Sequence, residues 1–445
     1  MGLIFDLIRY NGNIPIPNGM YGFVYYFSQI VGILFMLFYF HQGIFLVIGT
    51  LKRHKIPNKV FKFHTIGVVI AARNESAVIG NLIKSIQAND YPQSMIKIFV
   101  VADNCTDNTA QICRDMGCVV FERFNKEKIG KGYALNYLFT KLHTEPEFAN
   151  MVPEAYIVLD ADNIIKPNYI TEMNKMYDSG YDMATSYRNT KNFGDNWISS
   201  GYGFWFLHEA RHNNNARMHL KSSCAISGTG FLISQDVVKE YNNWEFFLLT
   251  EDIQCSTEYA LSGRKVGYTD TAEFFDEQPT KFKQAWRQRQ RWAKGSFQIT
   301  KAKGGALLKR SFTSFSCWDV FTATFPAFVL TFLSVVVFPL CAIISLCMGD
   351  FANVGFSFLQ LLWQWAGLCV TMWAISGTIL ITEWKRIICP NWKKVLYAFI
   401  FPLYMLTYIP ISISALFKKV EWKPIIHSSK VTLEDLNKPA EKDNK

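Results

Sequence analysis

The 445-residue sequence is short of charge. Asp, Glu, Lys and Arg make up 18% of it, against about 25% in an ordinary soluble domain. The deficit is concentrated near the two ends, in long apolar runs that contain almost no charged residue. Such runs exclude a single soluble domain and indicate a membrane protein. The stretch of about 260 residues between them is long enough to bury a core of its own.

Cysteine pairs with redox or metal-binding spacing are also absent. The ten cysteines include no Cys-x-x-Cys pair and no Cys/His cluster with zinc spacing, so we expect neither a zinc site nor a disulfide framework. The net charge of +10 is accounted for by residues 281–310, which hold ten Lys or Arg residues and no acid. A basic block beside an apolar run is typical of a segment that faces anionic lipid or phosphate. We therefore expect no nucleic-acid partner.

Four apolar segments are candidates for the membrane: 21–51, 318–348, 356–382 and 395–417. The first ends in a basic cluster at 51–55, and the excess of positive charge places that end in the cytoplasm. The same rule gives a conflict further on, because 383–394 and 417–423 are both basic although one segment separates them. Either that segment is re-entrant or interfacial, as Pro402 and Pro410 favour, or the tail lies outside.

Between the apolar ends, short β-branched runs alternate with helices of about ten to fifteen residues, which predicts a doubly wound, mostly parallel sheet. A helix is predicted from about Thr106, capped by Thr106 or Asp107. Four strands are expected, at 65–70, 96–101, 118–121 and 155–159. Ligands of such sheets bind at the carboxyl ends of the strands.

The chain is thus predicted to have five regions. They are an N-terminal membrane anchor (1–52), a cytoplasmic α/β domain (53–280), basic amphipathic interfacial helices (281–317), a transmembrane or channel region (318–417) and a cytoplasmic tail with a possible gating segment (418–445).

Acidic side chains follow three of the predicted strands, at Glu75, at Asp103 and at Asp160-Ala161-Asp162. Each one alone could cap a helix, but three clusters at one edge of a sheet repel each other unless a cation offsets them. Asp160 and Asp162 point the same way on an extended chain. Their oxygens suit Mg²⁺ or Mn²⁺, which also takes substrate phosphates as ligands. The pattern predicts a divalent metal beside a diphosphate.

Two shorter motifs supply further charges. Lys131-Gly132 places a cation beside a flexible glycine at a helix start, although an ordinary solvated helix end has the same appearance. Glu251-Asp252 follows a mostly apolar run. One of these two acids could be a general base if it reaches an acceptor hydroxyl, and the alternative is a helix cap.

A third motif lies within the basic block. On a helix, Gln288, Arg291 and Trp292 fall at i, i+3 and i+4 and share one face. An amide, a forked cation and a flat ring on one face could bind a sugar and a phosphate together. An amphipathic helix on the membrane surface is compatible with the same pattern.

Asp103, Asp160-Ala-Asp162, Thr250-Glu-Asp252 and Gln288-x-x-Arg291-Trp292, in this order, resemble the motifs of the processive family-2 glycosyltransferases. These are the cellulose synthase catalytic subunits and the poly-N-acetylglucosamine, chitin and hyaluronan synthases. The resemblance covers residues 66–295 by motif and the apolar flanks by architecture. It implies a GT-A domain inserted between transmembrane helices, and inverting transfer from a UDP-sugar.

The resemblance also implies a role for each residue. On the donor side, Glu75 and Asp103 would hold the uracil. Lys131, Asp160 and Arg291 would bind the nucleotide. Asp162, together with Asp160, would bind the Mg²⁺ or Mn²⁺ ion. On the acceptor side, Asp252 beside Glu251 would be the base, and the sugar would contact Gln288, Trp292 and the turn at Gly228 and Thr229. Trp422 and Lys423 lie where relatives carry a loop that closes over the nucleotide.

The implied activity is polymerisation of a β-linked polysaccharide at the plasma membrane, with the catalytic domain cytoplasmic and the product exported through the membrane helices. UDP-glucose is favoured as donor, giving a cellulose-like or mixed-linkage β-glucan. Two alternatives remain within the enzyme class: a poly-N-acetylglucosamine, chitin or hyaluronan-type synthase, and a non-processive glycolipid transferase. A nucleotide-sensing transporter or receptor is the alternative from another class, and it would not need Asp252.

Overall fold

The computed structural model describes residues 19–55, 61–420, 427 and 431–437. Its centre is an eight-stranded sheet with the order β3-β2-β1-β4-β7-β6-β8-β5. The strands are β1 (Ile66–Ala72), β2 (Ile96–Asp103), β3 (Val119–Arg123), β4 (Ala155–Asp160), β5 (Ile164–Ile165), β6 (Met183–Thr190), β7 (Phe231–Ser234) and β8 (Gly267–Asp276).

The sheet is mixed but mostly parallel, which confirms the predicted class. Four of the seven strand pairs are parallel, and three are antiparallel. The first strands in the chain run outward from β1, which pairs with β2 on one side and with β4 on the other. The strand order therefore reverses at β1, and a ligand crevice is expected beyond its carboxyl end.

Helices cover the sheet because its central strands are apolar on both faces. In chain order they are α1 (Gly19–Leu51), α2 (Ile79–Gln87), α3 (Thr109–Asp115), α4 (Lys131–Thr144), α5 (Tyr169–Asp178), α6 (Trp197–His208), α7 (Asn215–His219), α8 (Gln235–Glu240) and α9 (Glu251–Leu261). A π-helical turn, Glu209–Asn214, joins α6 to α7. Helix α3 begins at Thr109, so the predicted start near Thr106 is wrong.

The second half of the chain is helical. It contains α10 (Phe282–Ser311), α11 (Phe315–Thr324), α12 (Pro326–Cys347), α13 (Phe351–Glu383), α14 (Asn391–Leu406), α15 (Tyr408–Phe417) and the short α16 (Leu433–Asn437). Among the described residues, four stretches are long and apolar enough to cross a membrane: Gly19–Leu51, Phe315–Cys347, Phe351–Glu383 and Asn391–Phe417. The protein is therefore a membrane protein.

The last of these stretches, α14 with α15, lies along the sheet domain. Near its start, Lys393 Nζ donates to the carbonyl of Gly194 at 2.9 Å. Near its end, Lys294 Nζ of α10 donates to the carbonyl of Ala415 at 3.0 Å. Between α14 and α15, the guanidinium of Arg289 donates to Thr407 Oγ1 at 2.8 Å. The stretch thus contacts the sheet domain near its start and α10 near its end, and its interfacial placement stays a prediction.

Ion pairs around a buried carboxylate join the first membrane helix to the domain. Arg53, just after α1, pairs with Asp270 at 3.2 Å and with Glu383 at 2.7 Å. Arg211 of the π-helical turn also reaches Glu383, at 3.0 Å. Because Glu383 is 1% exposed, this carboxylate needs both cations to offset its desolvation. The network fixes α1 and α13 relative to β8.

Candidate active site

One cavity of about 2790 Å³ contains almost all of the predicted site residues. It opens beyond the carboxyl ends of β1, β2 and β4 and continues among α1, α12, α13 and α15. The predicted residues that line it are Glu75, Asp103, Lys131, Asp160, Asp162, Gly228, Glu251, Asp252, Gln288, Arg291 and Trp292. Residues 421–426 are outside the described part, so the predicted gate at Trp422 and Lys423 stays a prediction.

Lys131 connects two strand ends. Its ammonium forms an ion pair with Asp160 and donates to the carbonyl of Gly228 at 2.7 Å. The next residue must be small, because a Cβ on Gly132 would lie 2.0 Å from the carbonyl oxygen of Phe246. Glycine thus allows the start of α4 to approach the loop that leads to Glu251.

Thr229 lies behind the cavity wall. It is 1% exposed, and its hydroxyl accepts the backbone N–H of Asp160 at 2.8 Å and donates to Asn163. Its observed contact is with the backbone of the Asp160 motif. Gly228 has φ +77°, and a Cβ there would lie 3.7 Å from Asp252 Oδ2, so the turn passes directly beside the candidate base.

Asp103 has a buried partner that the sequence did not indicate. Arg123, at the end of β3, lies opposite Asp103 in the parallel register and forms an ion pair with it. Asp103 is 4% exposed and Arg123 is 7% exposed. The guanidinium fixes the orientation of the carboxylate towards the cavity.

Glu75 is held by the tail of the chain. His427 Nδ1 donates to the carboxylate of Glu75, at 3.0 Å to the nearer oxygen. Burial raises the pKa of Glu75, and His427 partly offsets this. Burial alone would lower the pKa of His427, but the charges of Asp162 and Glu75 raise it to about 10. The imidazole is therefore a cation at neutral pH, beside the carboxylates of Glu75 and Asp162.

Asp162 is buried at the back of this corner. Its Oδ2 accepts the backbone N–H of Glu277 at 2.8 Å. Burial favours its protonated form, but the charges of His427 and Lys191 hold its pKa below the usual range. Among the described residues no group of three His, Cys, Asp or Glu side chains could hold a metal. Two carboxylates fit a cation that takes its remaining ligands from water and a diphosphate.

The two acids at the start of α9 differ in exposure. Glu251 is buried, whereas Asp252 is half-buried and faces the cavity. Burial raises the pKa of both carboxyls, and the charges of Lys131 and Arg291 oppose this rise. A carboxylate with a raised pKa and an open approach is suited to accept a proton.

Helix α10 forms the opposite wall. A Cβ on Gly295 would lie 2.3 Å from Thr250 Oγ1, so this glycine lets α10 cross close to the Glu251-Asp252 pair. The Trp292 ring packs edge-on against Tyr202 and Phe206, with centroids 5.6 and 6.0 Å away. Gln288 Oε1 is buried without a hydrogen-bond partner in the described part of the chain.

This geometry places an Asp-x-Asp pair, the adjacent acids Glu251 and Asp252 and two cations around one cavity, between the first strand and the α10 helix. A family model described as "Glycosyltransferase like family 2" matches residues 64–295, which spans these elements and more than half of the chain. The chain belongs to this family. It is therefore a glycosyltransferase, as the motif resemblance predicted.

Relatives of this family-2 glycosyltransferase have several activities. A probable glycosyltransferase, YdaM, of Bacillus subtilis is 24% identical, over 72% of each chain. A β-monoglucosyldiacylglycerol synthase of Synechocystis is 24% identical over 52% of this chain and 47% of its own length. A poly-β-1,6-N-acetyl-D-glucosamine synthase of Staphylococcus epidermidis is 22% identical over 60% of this chain and 65% of its own length. The chain thus spans about half to three quarters of these relatives.

A solved structure confirms the fold. The mannosyltransferase PcManGT from Pyrobaculum calidifontis, in complex with GDP-Man and Mn²⁺, superposes with a TM-score of 0.51 at 13% identity. The match covers 88% of this chain and 99% of that one. The family-2 domain here has the GT-A fold, with candidate transmembrane helices after it.

Proposed function

We propose that this protein is a membrane-bound, inverting glycosyltransferase that uses a UDP-sugar with Mg²⁺ or Mn²⁺ and extends a β-linked polysaccharide. The observation that carries the proposal is the shared cavity. It has the Asp160/Asp162 pair at one side and Asp252 at another, and it continues from there between the membrane helices. A glycan that is extended at Asp252 has room to grow in that direction.

On the donor side, Glu75 and Asp103 bind the uracil, and the cations Lys131 and Arg291 bind the diphosphate. A divalent ion held by Asp160 and Asp162 would neutralise charge on the departing diphosphate. Asp252 accepts the proton of the acceptor hydroxyl, whose oxygen forms the new bond to the anomeric carbon. The bond to UDP breaks on the opposite face, and UDP leaves with the electron pair. One base is sufficient, because direct inversion needs no covalent nucleophile.

The acceptor sugar lies against Trp292, with Gln288 and the Gly228-Thr229 turn beside it. This arrangement is supported by the unpaired Gln288 Oε1 and by the position of the Trp292 ring in the cavity wall. An aromatic face offers a sugar an apolar platform, and a buried amide offers it a specific hydrogen bond.

We favour UDP-glucose as donor, which gives a cellulose-like or mixed-linkage β-glucan. Incubation of the purified protein with each labelled UDP-sugar, with Mn²⁺ or Mg²⁺, tests the donor. Digestion of the product with linkage-specific glycosidases then tests the linkage. We expect UDP release from UDP-glucose and a product cut by β-glucanases. Absence of UDP release from every UDP-sugar would contradict the transferase step itself.

A glycolipid transferase is the second candidate, favoured by the relationship to β-monoglucosyldiacylglycerol synthases. Product length separates the two. We expect a ladder of long products on a gel, and a single lipid-soluble product that carries one sugar would favour the alternative.

We further propose that the GT-A domain and the tail lie in the cytoplasm at the plasma membrane. This is supported by the basic cluster that follows α1 and by the contact of His427 with Glu75. That contact requires the tail and the catalytic domain to lie on the same side of the bilayer.

A further inference from the structure

Two buried polar side chains at the end of β8 line the cavity and have no part in the transfer described above. Asp276 is the last residue of β8, and Gln278 follows two positions later. Both line the cavity, although they are only 2% and 3% exposed. Asp276 Oδ1 and Gln278 Nε2 have no hydrogen-bond partner in the described part of the chain. Because an unpaired buried polar atom is costly, such a pair in a cavity wall indicates a ligand.

The two groups are neighbours, and each is held in place. Arg188 Nε donates to the other carboxylate oxygen, Asp276 Oδ2, at 2.7 Å. The backbone of Gln278 exchanges two hydrogen bonds with the side chain of Asn192, both at 2.9 Å. Burial raises the pKa of Asp276, and the charge of Arg188 and the Gln278 amide oppose this rise. The amide therefore lies next to the carboxylate.

On one side the pair is connected to Asp162, the predicted metal ligand. The residue between the two, Glu277, donates its backbone N–H to Asp162 Oδ2 at 2.8 Å. Asp276 does not join Asp160 and Asp162 in one metal site, since no three His, Cys, Asp or Glu side chains among the described residues could hold a metal. A carboxylate also repels a diphosphate. We therefore expect a neutral group of the substrate at this position.

On the other side the pair is connected to the turn beside the candidate base. Arg188 donates to the carbonyl of Ser227 at 2.8 Å as well as to Asp276. Ser227 precedes Gly228, where a Cβ would lie 3.7 Å from Asp252 Oδ2. In the proposed reaction the donor sugar is bonded to the diphosphate at the metal and is attacked from the Asp252 side. Its ring therefore lies between these two sides, within reach of Asp276.

We propose that Asp276 and Gln278 bind one hydroxyl group of the donor hexose and thereby determine which sugar is transferred. A hydroxyl both donates and accepts, so the same group can donate to Asp276 Oδ1 and accept from Gln278 Nε2. A site whose buried polar atoms need this hydroxyl discriminates against a sugar that lacks it. The inference rests on the proposed function as a UDP-sugar transferase.

The test uses the full-length protein and the hexose that the wild type transfers from UDP. Gln278→Met removes the amide at a similar volume and keeps the backbone bonds to Asn192. Gln87→Met is the matched control, because Gln87 is exposed, donates to the carbonyl of Met116 at 3.0 Å and does not line the cavity. We would measure kcat/KM for UDP release with the complete UDP-hexose and with the deoxy analogues that each lack one hydroxyl. The Ki of UDP alone is measured in parallel.

We expect Gln278→Met to lower kcat/KM for the complete donor by about tenfold, with the Ki of UDP unchanged because the nucleotide does not contact the pair. One deoxy analogue should lose a similar factor in the wild type and no more in the variant, which identifies the hydroxyl. Asp276→Asn should show the same pattern, because its amide nitrogen cannot accept from the hydroxyl while its oxygen pairs with Arg188. Gln87→Met should behave like the wild type.

The proposal has three results that would overturn it. They are an unchanged kcat/KM in Gln278→Met, a Ki of UDP that rises by the same factor, and a loss that adds to the loss of every deoxy analogue. The second result would assign the pair to the nucleotide instead of the sugar. Absence of UDP release from every UDP-hexose by the wild type would instead contradict the proposed function.

Discussion

At the scale of single residues, Asp252 is the side chain on which the transfer depends most. It faces the cavity beside Gly228, with the cations Lys131 and Arg291 near it. Glu251, its neighbour, also lines the cavity but is buried, whereas Asp252 is half-buried. We therefore assign proton acceptance to Asp252 and treat Glu251 as a group that raises the proton affinity of the pair.

Asp252→Asn should lower kcat by about 10² to 10⁴, because the amide cannot accept the proton of the acceptor hydroxyl. UDP release at saturating donor measures this. Glu258→Gln is the matched control, since Glu258 lies on the same helix and pairs with Lys303 at 2.6 Å. Full activity of Asp252→Asn would show that Asp252 is not the general base.

The rate should also depend on pH in a defined direction. Burial raises the pKa of Asp252, and a base is inactive when it is protonated. The acid limb of kcat/KM should therefore lie above the ordinary aspartate pKa of about 3.9, with activity lost as the pH falls through it. In Lys131→Gln the limb should move to still higher pH, because a cation that opposes the rise is gone. If the acid limb of kcat/KM lies at the same pH in Lys131→Gln as in the wild type, the charge of Lys131 does not influence the pKa of Asp252.

His427 was not found from the sequence, and its position predicts a role in donor binding. Its imidazolium offsets the charge of Glu75 and Asp162, which would otherwise repel a diphosphate. His427→Ala should raise KM for the UDP-sugar by roughly tenfold, at a similar kcat. Lys84→Ala, which removes an exposed cation on α2, should leave KM unchanged. Equal KM values in the two variants would contradict the prediction.

At the scale of elements, the four strands predicted from the sequence correspond to β1 to β4, whereas β5 to β8 and the start of one helix were not predicted. The strands at the centre of the sheet are continuous apolar runs, and their burial on both faces makes the pattern easy to read. Helix α3 starts late because Asp107 accepts hydrogen bonds from Thr109 and from the backbone of Ser76. That second contact joins two loops, and no local propensity reports it.

The start of α4 gives a prediction at this scale. Gly132→Ala should destabilise the protein by about 1–3 kcal/mol and lower its activity, because the added Cβ meets the Phe246 carbonyl and displaces Lys131. Gly80→Ala is the control: it also lies in a helix, and its Cβ would meet nothing closer than 3.8 Å. Thermal unfolding and UDP release compare the two. Equal stability of the two variants would mean that the loop containing Phe246 moves to accommodate the added methyl group, which would contradict the prediction.

At the scale of the whole molecule, the arrangement of the membrane helices decides on which side the tail lies. Helices α1, α12 and α13 pack against one another, while α14 and α15 follow the GT-A domain. If α1 ends in the cytoplasm, as we propose, the two further crossings by α12 and α13 bring the end of α13 back to that side. The tail then lies beside the catalytic domain, and the conflict between the two basic segments disappears.

Thiol labelling checks this topology. Cys347 is exposed, at the end of α12 that leads away from the domain. An impermeant maleimide should label it in right-side-out vesicles. In a Cys347→Ser background, Glu434→Cys on α16 should react only in inside-out vesicles. Reaction of both positions from the same side would contradict the arrangement.

The sequence by itself determined the membrane character, the alternating α/β centre and the candidate site residues, because apolar periodicity and acids at strand ends are local signals. Only the tertiary structure decided what those residues contact. Arg123 reaches Asp103 across a strand pair, and His427 reaches Glu75 from 352 positions away. The path of α14 and α15 along the domain, and the hydrogen bond from Ser28 to Gln360, also follow from packing between distant segments. Sequence spacing carries no record of such contacts, because they are set by how helices and strands meet in space.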